Sequence, residues 1–348
     1  MGYKIHLSII FLALLLWLNP APAADLFDST STMEITLAAP WGRLVRNIER
    51  DDRYPAKLTY TTRSGNQLTL DVEVKPSGNT RRYITCNFPP LKVYFDTEQS
   101  KNTEFSKYEF LRLTTYCKKK SKYEQYAIRE FTAYRIYNEI TDLSVRVRPL
   151  IINYKNSNSN SKSSTRLFSY FSEDSGDVAL RNHLQLLPVN SVDPLDFQSL
   201  EMANFALFQY LIGNVDWSVV GCSTGREICC HNSSIAGIND NTGPKYAIPY
   251  DFDSTGLVNA DYAAAPDKFQ LKSIRHRLYR GFCSFNDKLP EAVSRFNQVR
   301  PQIMAIFDST SKISKNSRKY THSYIEDFYA IINDPKQFQS EIISACRE

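Results

Sequence analysis

Three aspartates and an asparagine, Asp216, Asn232, Asp251 and Asp253, fall within one polar stretch running from Gly213 to Gly256. It opens with Gly213-Asn214-Val215-Asp216-Trp217, passes through Cys229-Cys230-His231-Asn232 and closes with Tyr250-Asp251-Phe252-Asp253-Ser254-Thr255-Gly256. Carboxylates and an amide in this pattern could carry metal-assisted phosphoryl transfer. One Asp orients and deprotonates an attacking hydroxyl, while a second carboxylate and an Asn hold the divalent ion that bridges the phosphates. Hard oxygen donors suit magnesium or manganese. Asp and Asn also favour turns, because their side chains bond the nearby backbone, so an Asp-rich loop equally fits a plain turn.

The elements around this stretch must position it. Upstream, Met33–Leu37, Leu58–Thr62, Leu68–Val74, Leu91–Phe95 and Phe110–Thr115 alternate apolar and polar residues between turns such as Ser64-Gly65-Asn66, a pattern expected of an antiparallel sheet with one covered face. The period then changes. Tyr126, Ile128, Phe131, Tyr134, Tyr137 and Ile140 recur at helical spacing and predict an amphipathic helix over Tyr123–Thr141. Its Glu130 reads as a solvated or salt-bridged residue, or as the partner of a cation on a neighbouring strand. Val145–Tyr154 reads as a buried strand, and Arg166–Phe171 closes a hairpin with it. Beyond Asp193 the chain is mainly helical: Leu200, Ala203, Leu207, Phe208 and Leu211 stripe a core helix that ends at Gly213 and delivers Asp216. Arg275, Arg277 and Arg280 form a basic cluster that fits a salt-bridging surface or an acidic acceptor.

The ends and the cysteines bear on the compartment. Lys4, the short apolar run Ile9–Leu18 and Pro20-Ala21-Pro22-Ala23-Ala24 read as a cleaved signal peptide over residues 1–24, which predicts a periplasmic or secreted protein. No later segment is apolar enough to cross a membrane. The 7 cysteines, Cys86, Cys117, Cys222, Cys229, Cys230, Cys283 and Cys346, follow that segment, where disulfides persist, and their odd number leaves at least one unpaired. Their connectivity is not set by spacing. A formal net charge of +5 is too small to argue for nucleic acid as a partner.

The succession Ile128-Arg129-Glu130, Tyr134-Arg135-Ile136-Tyr137, Phe171-Ser172-Glu173-Asp174, Gly213-Asn214-Val215-Asp216-Trp217 and Tyr250-Asp251-Phe252-Asp253 resembles CotH-type secreted proteins and related exported bacterial proteins, from about Phe88 to Cys283. The resemblance implies an α+β, two-lobed protein-kinase-like fold, with a β-rich lobe over residues 25–174 and a helical lobe over 175–348. It implies transfer of phosphate from ATP to a protein or envelope hydroxyl, with magnesium or manganese. Asp216 is then the catalytic Asp, and Asp251, Asn232 and Asp253 face the metal. Arg112, held by Glu130, meets the nucleotide phosphates where a Lys is the rule, and Glu173 lies at the crossing between lobes against the nucleotide. The chain has no glycine-rich phosphate loop, and Ser223–Glu227 reads as an insertion between Asp216 and Asn232. Two other readings stay open: an inactive binding or structural protein of the cell envelope, and a glycan hydrolase using Asp216 with Asp251 or Asp253, which needs carboxylates roughly 5 to 9.5 Å apart.

Overall fold

A computed structural model describes residues 25–158, 164–221, 230–238 and 243–348. The expected signal peptide, Cys222, Cys229 and the Ser223–Glu227 insertion lie outside the described residues.

Seven strands close into a barrel. They are β1 (Met33–Ala39), β2 (Tyr54–Thr61), β3 (Gln67–Pro76), β4 (Leu91–Phe95), β5 (Phe110–Thr114), β6 (Val147–Asn156) and β7 (Ser164–Ser172). Neighbours run β1-β2-β3-β4-β5-β7-β6, and a parallel pairing of β6 with β1, from Met33 opposite Leu150 to Ala39 opposite Asn156, shuts the ring. All other pairings in the barrel are antiparallel. The alternating residues therefore point into a closed interior, where Leu37, Leu58, Val74, Leu91, Val93, Leu150, Ile152 and Phe171 are fully buried. Closure also leaves no open strand edge to pair with another chain.

This barrel corrects the expected fold. The two-lobed kinase-like architecture rested on an open sheet with one covered face, whereas the parallel β1–β6 seam makes a closed ring with a core of its own. Helix α2 (Ser121–Ile140; α1 is the short Trp41–Arg46) packs outside the barrel on Ile151, Phe168 and Tyr170, and the same apolar cluster continues into the C-terminal helices. Strand β6 is buried on both faces for that reason, which explains the consecutive apolar residues Pro149-Leu150-Ile151-Ile152.

After β7 come α3 (Ser175–Arg181), β8 (Gln185–Leu186), α4 (Ser199–Ile212), β9 (Ser233–Gly237) and β10 (Tyr246–Pro249); the last three strands form a small sheet in the order β10-β9-β8. Helices α5 (Leu289–Ser309), α6 (Lys315–Asn333) and α7 (Pro335–Phe338) complete the chain. Among the described residues no helix is long and apolar enough to cross a membrane. Disulfides join Cys86 to Cys117 and Cys283 to Cys346, and Cys230 is disulfide-bonded too. Such bonds are at home in an oxidising compartment.

Candidate functional site

Helix α4 ends where Gly213 turns into the left-handed region at φ 64°, donating to the Gln209 and Tyr210 carbonyls. The following Asn214 folds the chain at once. Its Nδ2 donates to Gln209 Oε1 at 2.8 Å, and its Oδ1 accepts from the Asp216 amide at 2.9 Å. Arg280 clamps the turn by donating to the carbonyls of Val215 and Trp217 at 2.8 and 2.7 Å, and Arg277 donates to those of Tyr210 and Leu211. These two arginines of the basic cluster thus satisfy backbone carbonyls at a helix end instead of meeting an acidic partner.

The Asp216 carboxylate is held from two sides. His231 Nε2 lies 2.9 Å from Oδ1, and Asn232 Nδ2 donates to Oδ2 at 3.2 Å and to the Asp216 carbonyl at 2.8 Å. The hydrogen bond from His231 lowers the Asp216 pKa below the usual value, against the opposing effect of burial, with help from Asn232 and the charge of Arg280. The group is ionised at neutral pH. Its side chain remains 41% exposed, so the charge is oriented and still reachable.

Asp251 reaches the same place through the small sheet. Ser233 pairs with Pro249 across β9 and β10, and the Tyr250 amide donates to the Asn232 carbonyl at 3.1 Å, so the residue following Tyr250 emerges beside the Asp216–Asn232 pair. The backbone is left-handed at both Asn232 (φ 52°) and Asp251 (φ 62°), and the Asp251 amide donates to Tyr134 Oη at 2.9 Å. Phe252 is fully buried against Tyr134 and Phe208, with ring centroids 4.5 and 5.3 Å away. Anchoring that ring fixes the two flanking aspartates.

One cation gathers the remaining carboxylates. Arg81 donates to Glu130 Oε2 at 2.8 Å and Oε1 at 3.1 Å, to Asp251 Oδ1 at 2.8 Å, and lies 3.2 Å from Asp253 Oδ2. Three acidic side chains against one guanidinium leave a formal excess of two negative charges. The physical consequence appears in the pKa values. Burial pushes Glu130 up to about 7 although Arg81 pulls it back, and burial with the charge of Asp253 raises Asp251 as well. The Asp216 charge adds to that rise, so Asp216 and Asp251 sit in one electrostatic field.

Other expected contacts do not form. Arg112 does not meet Glu130: it donates to Asp174 at 3.0 Å on the outer barrel surface, while Arg81 takes the Glu130 carboxylate. Glu173 does not line an opening; it is buried and taken by Arg146 and Arg181, at 3.0 and 3.1 Å. That triad ties α3 to the barrel at the end of β7. Two cavities of about 240 and 390 Å³ lie elsewhere, one beside Arg63, Glu104 and Arg148 and the other beside Asn138, Glu201 and Arg295.

The set expected to hold magnesium or manganese, Asp251, Asn232 and Asp253, does not fit an ion in this arrangement. Asp251 and Asp253 each spend an oxygen on Arg81, and the Asn232 amide is turned to Asp216. Among the described residues no group of three or more His, Cys, Asp and Glu side chains could hold a metal. Sequence reasoning missed Arg81 and gave His231 no role. Arg81 sits in a one-turn π-helix, Arg81–Thr85, between β3 and β4, and its only mark in the sequence is an Arg-Arg pair after a turn, which is common on solvated surfaces.

Comparison with known proteins finds no family model that matches the chain and no curated protein significantly similar to it. The CotH-type resemblance therefore stands on the quoted residues alone.

Proposed function

We propose that the protein is a phosphotransferase of the periplasm or cell exterior, which moves a phosphoryl group from a nucleotide donor to a hydroxyl on a protein or other envelope acceptor. One observation carries the reading: Asp216 is ionised, oriented by His231 and Asn232, partly exposed, and set beside a second carboxylate, Asp251. A base in this state accepts the acceptor hydroxyl's proton as its oxygen bonds to phosphorus, while the bond to the donor's leaving phosphate breaks with its electron pair. His231 and Asn232 keep the carboxylate aimed, and Asn214 with Arg280 keeps its backbone still. Function here belongs to the site and not to the surrounding architecture, so the barrel does not bear against it.

A second reading is favoured by the Arg81 cluster, whose carboxylates are engaged already: a non-catalytic binding protein in which the charges serve the fold. Labelled ATP, incubated with the oxidised protein in chelator and with added magnesium or manganese, separates the two. Phosphoryl transfer that falls about 10²- to 10⁴-fold in Asp216→Asn, with melting unchanged, is the expected result. Transfer unaffected by that substitution, or none in any condition, removes the enzymatic reading and leaves the binding one.

A further inference from the structure

The outer face of the barrel carries a row of cations that the site above does not use. Lys75 on β3 lies directly opposite Lys92 on β4, and Lys92 lies directly opposite Arg112 on β5. Alternation puts all three outside, since Val74, Val93, Leu111 and Leu113 beside them fill the interior. With strands about 4.8 Å apart, the row is about 10 Å long. Like charges directly opposite each other weaken a sheet, so three in register call for a compensating anion.

The ends of the row have one. Lys75 pairs with Asp51 at 3.2 Å and Arg112 with Asp174 at 3.0 Å. The centre does not: among the described residues no carboxylate forms an ion pair with Lys92, whose ammonium lies 4.3 Å from the centre of the Phe110 ring. Burial and the neighbouring Arg112 charge both lower its pKa, and the Asp174 charge offsets them only in part. Two residues along, a second row runs parallel, with Glu73 opposite Tyr94 and Tyr94 opposite Phe110. The two rings are 5.6 Å apart, and the Arg53 guanidinium covers Tyr94 at 3.6 Å. The cation row thus has an aromatic step alongside. At its Arg112 end it approaches Tyr250, whose phenol feels the charges of Arg112, Asp174 and Asp251 together.

We infer that the outer face of β3, β4 and β5 binds a linear chain of phosphate groups along Lys75, Lys92 and Arg112, with Lys92 as its central contact. A string of anionic groups matches a straight row of cations one strand apart, whereas a single phosphate spans only part of it. The chain can come from a nucleotide, with its ring system on the Tyr94–Phe110 step, or from an inorganic polyphosphate. The assignment does not depend on transfer by Asp216.

Calorimetric titration with tripolyphosphate, ATP and orthophosphate, in chelator and at two salt concentrations, tests it on the wild type, Lys92→Met and Asp216→Asn. Methionine keeps the contact with Phe110 and removes the charge. Tripolyphosphate is expected to bind more tightly than orthophosphate, to weaken with salt, and to lose about tenfold or more in Lys92→Met. Melting of that variant should hold steady or rise, since a repulsion has gone. ATP binding that exceeds tripolyphosphate binding and falls in Tyr94→Ala supports the nucleotide source, and equal binding supports the inorganic one. Affinity unchanged in Lys92→Met, no binding, orthophosphate binding as tight as tripolyphosphate, or tighter binding of a sulfated polysaccharide overturns the proposal. Binding kept in Asp216→Asn while transfer is lost, or is absent throughout, concerns only the phosphotransferase reading.

Discussion

Arg81 is the residue on which the carboxylates depend, because among the described residues it is the cation paired with Glu130, Asp251 and Asp253. Its replacement by Met leaves Glu130 buried without a partner, and breaking a buried pair in this way costs roughly 3–5 kcal/mol. Asp251 is 44% exposed and screened by water, so the lower end of that range is expected. Urea unfolding measures it, and the double variant Arg81→Met/Glu130→Gln should recover part of the loss; a single variant as stable as the wild type would show that the cluster contributes nothing net. Glu130 also makes a pH prediction. Its folded pKa of about 7 stands above the ordinary 4.5, so between those values the folded chain holds a proton that the unfolded chain has released. This contribution is complete below pH 4.5 and is lost as pH rises toward 7. Wild-type stability relative to Glu130→Gln should therefore fall as pH rises over that window, the variant gaining on the wild type, and a wild type that gains on the variant instead contradicts the assignment.

At the scale of elements, the turn that carries Arg81 is fastened at both ends. Arg82 donates to the Ile48 and Arg50 carbonyls and pairs with Asp51, at 2.7, 2.8 and 2.8 Å, while Cys86 bonds to Cys117 just before α2 begins. The two described disulfides should then differ in effect. Removing Cys86–Cys117, which closes a separation of 31 residues, costs roughly 3–4 kcal/mol by chain entropy and also loosens Arg81. Removing Cys283–Cys346, with a separation of 63, costs about 4 kcal/mol and leaves the Arg81 cluster intact. Serine pairs at each bridge, compared by melting temperature and by the pH dependence assigned to Glu130, check this: only the first pair should alter the pH dependence.

Across the whole molecule, the stretch from Gly213 to Gly256 closes on itself. The Gly256 amide donates to the Gly213 carbonyl at 3.1 Å and the Leu257 amide to the Ile212 carbonyl at 2.9 Å, so the two ends of the loop are tied beneath α6. A methyl group at Gly256 would run into the Tyr324 phenol and come within 3.0 Å of the Ile274 carbonyl. Gly256→Ala should cost about 1–3 kcal/mol by overpacking and part the two arms of the site, lowering any Asp216-dependent transfer together with the melting temperature. Full stability in that variant would mean that α6 gives way without effect.

Local pattern was enough for the strands and helices. Alternation marked β1 to β5, a largely apolar stretch marked β6, and the 3.6-residue stripe marked α2, because each depends on which faces of one element meet water. The nearness of Asp216, Asn232 and Asp251 was legible too, since they fall within one stretch of chain, in which the β9–β10 pairing brings Asn232 and Asp251 together. Closure of the barrel was not legible, as the β1–β6 pairing joins strands more than 100 residues apart and no local period encodes it. Glu130 likewise has the same sequence neighbours whether Arg112 or Arg81 is its partner; Asp174 takes Arg112, and a turn 49 residues upstream brings Arg81 in. Side-chain chemistry and local periodicity are written residue by residue, whereas partners across the fold are chosen by packing.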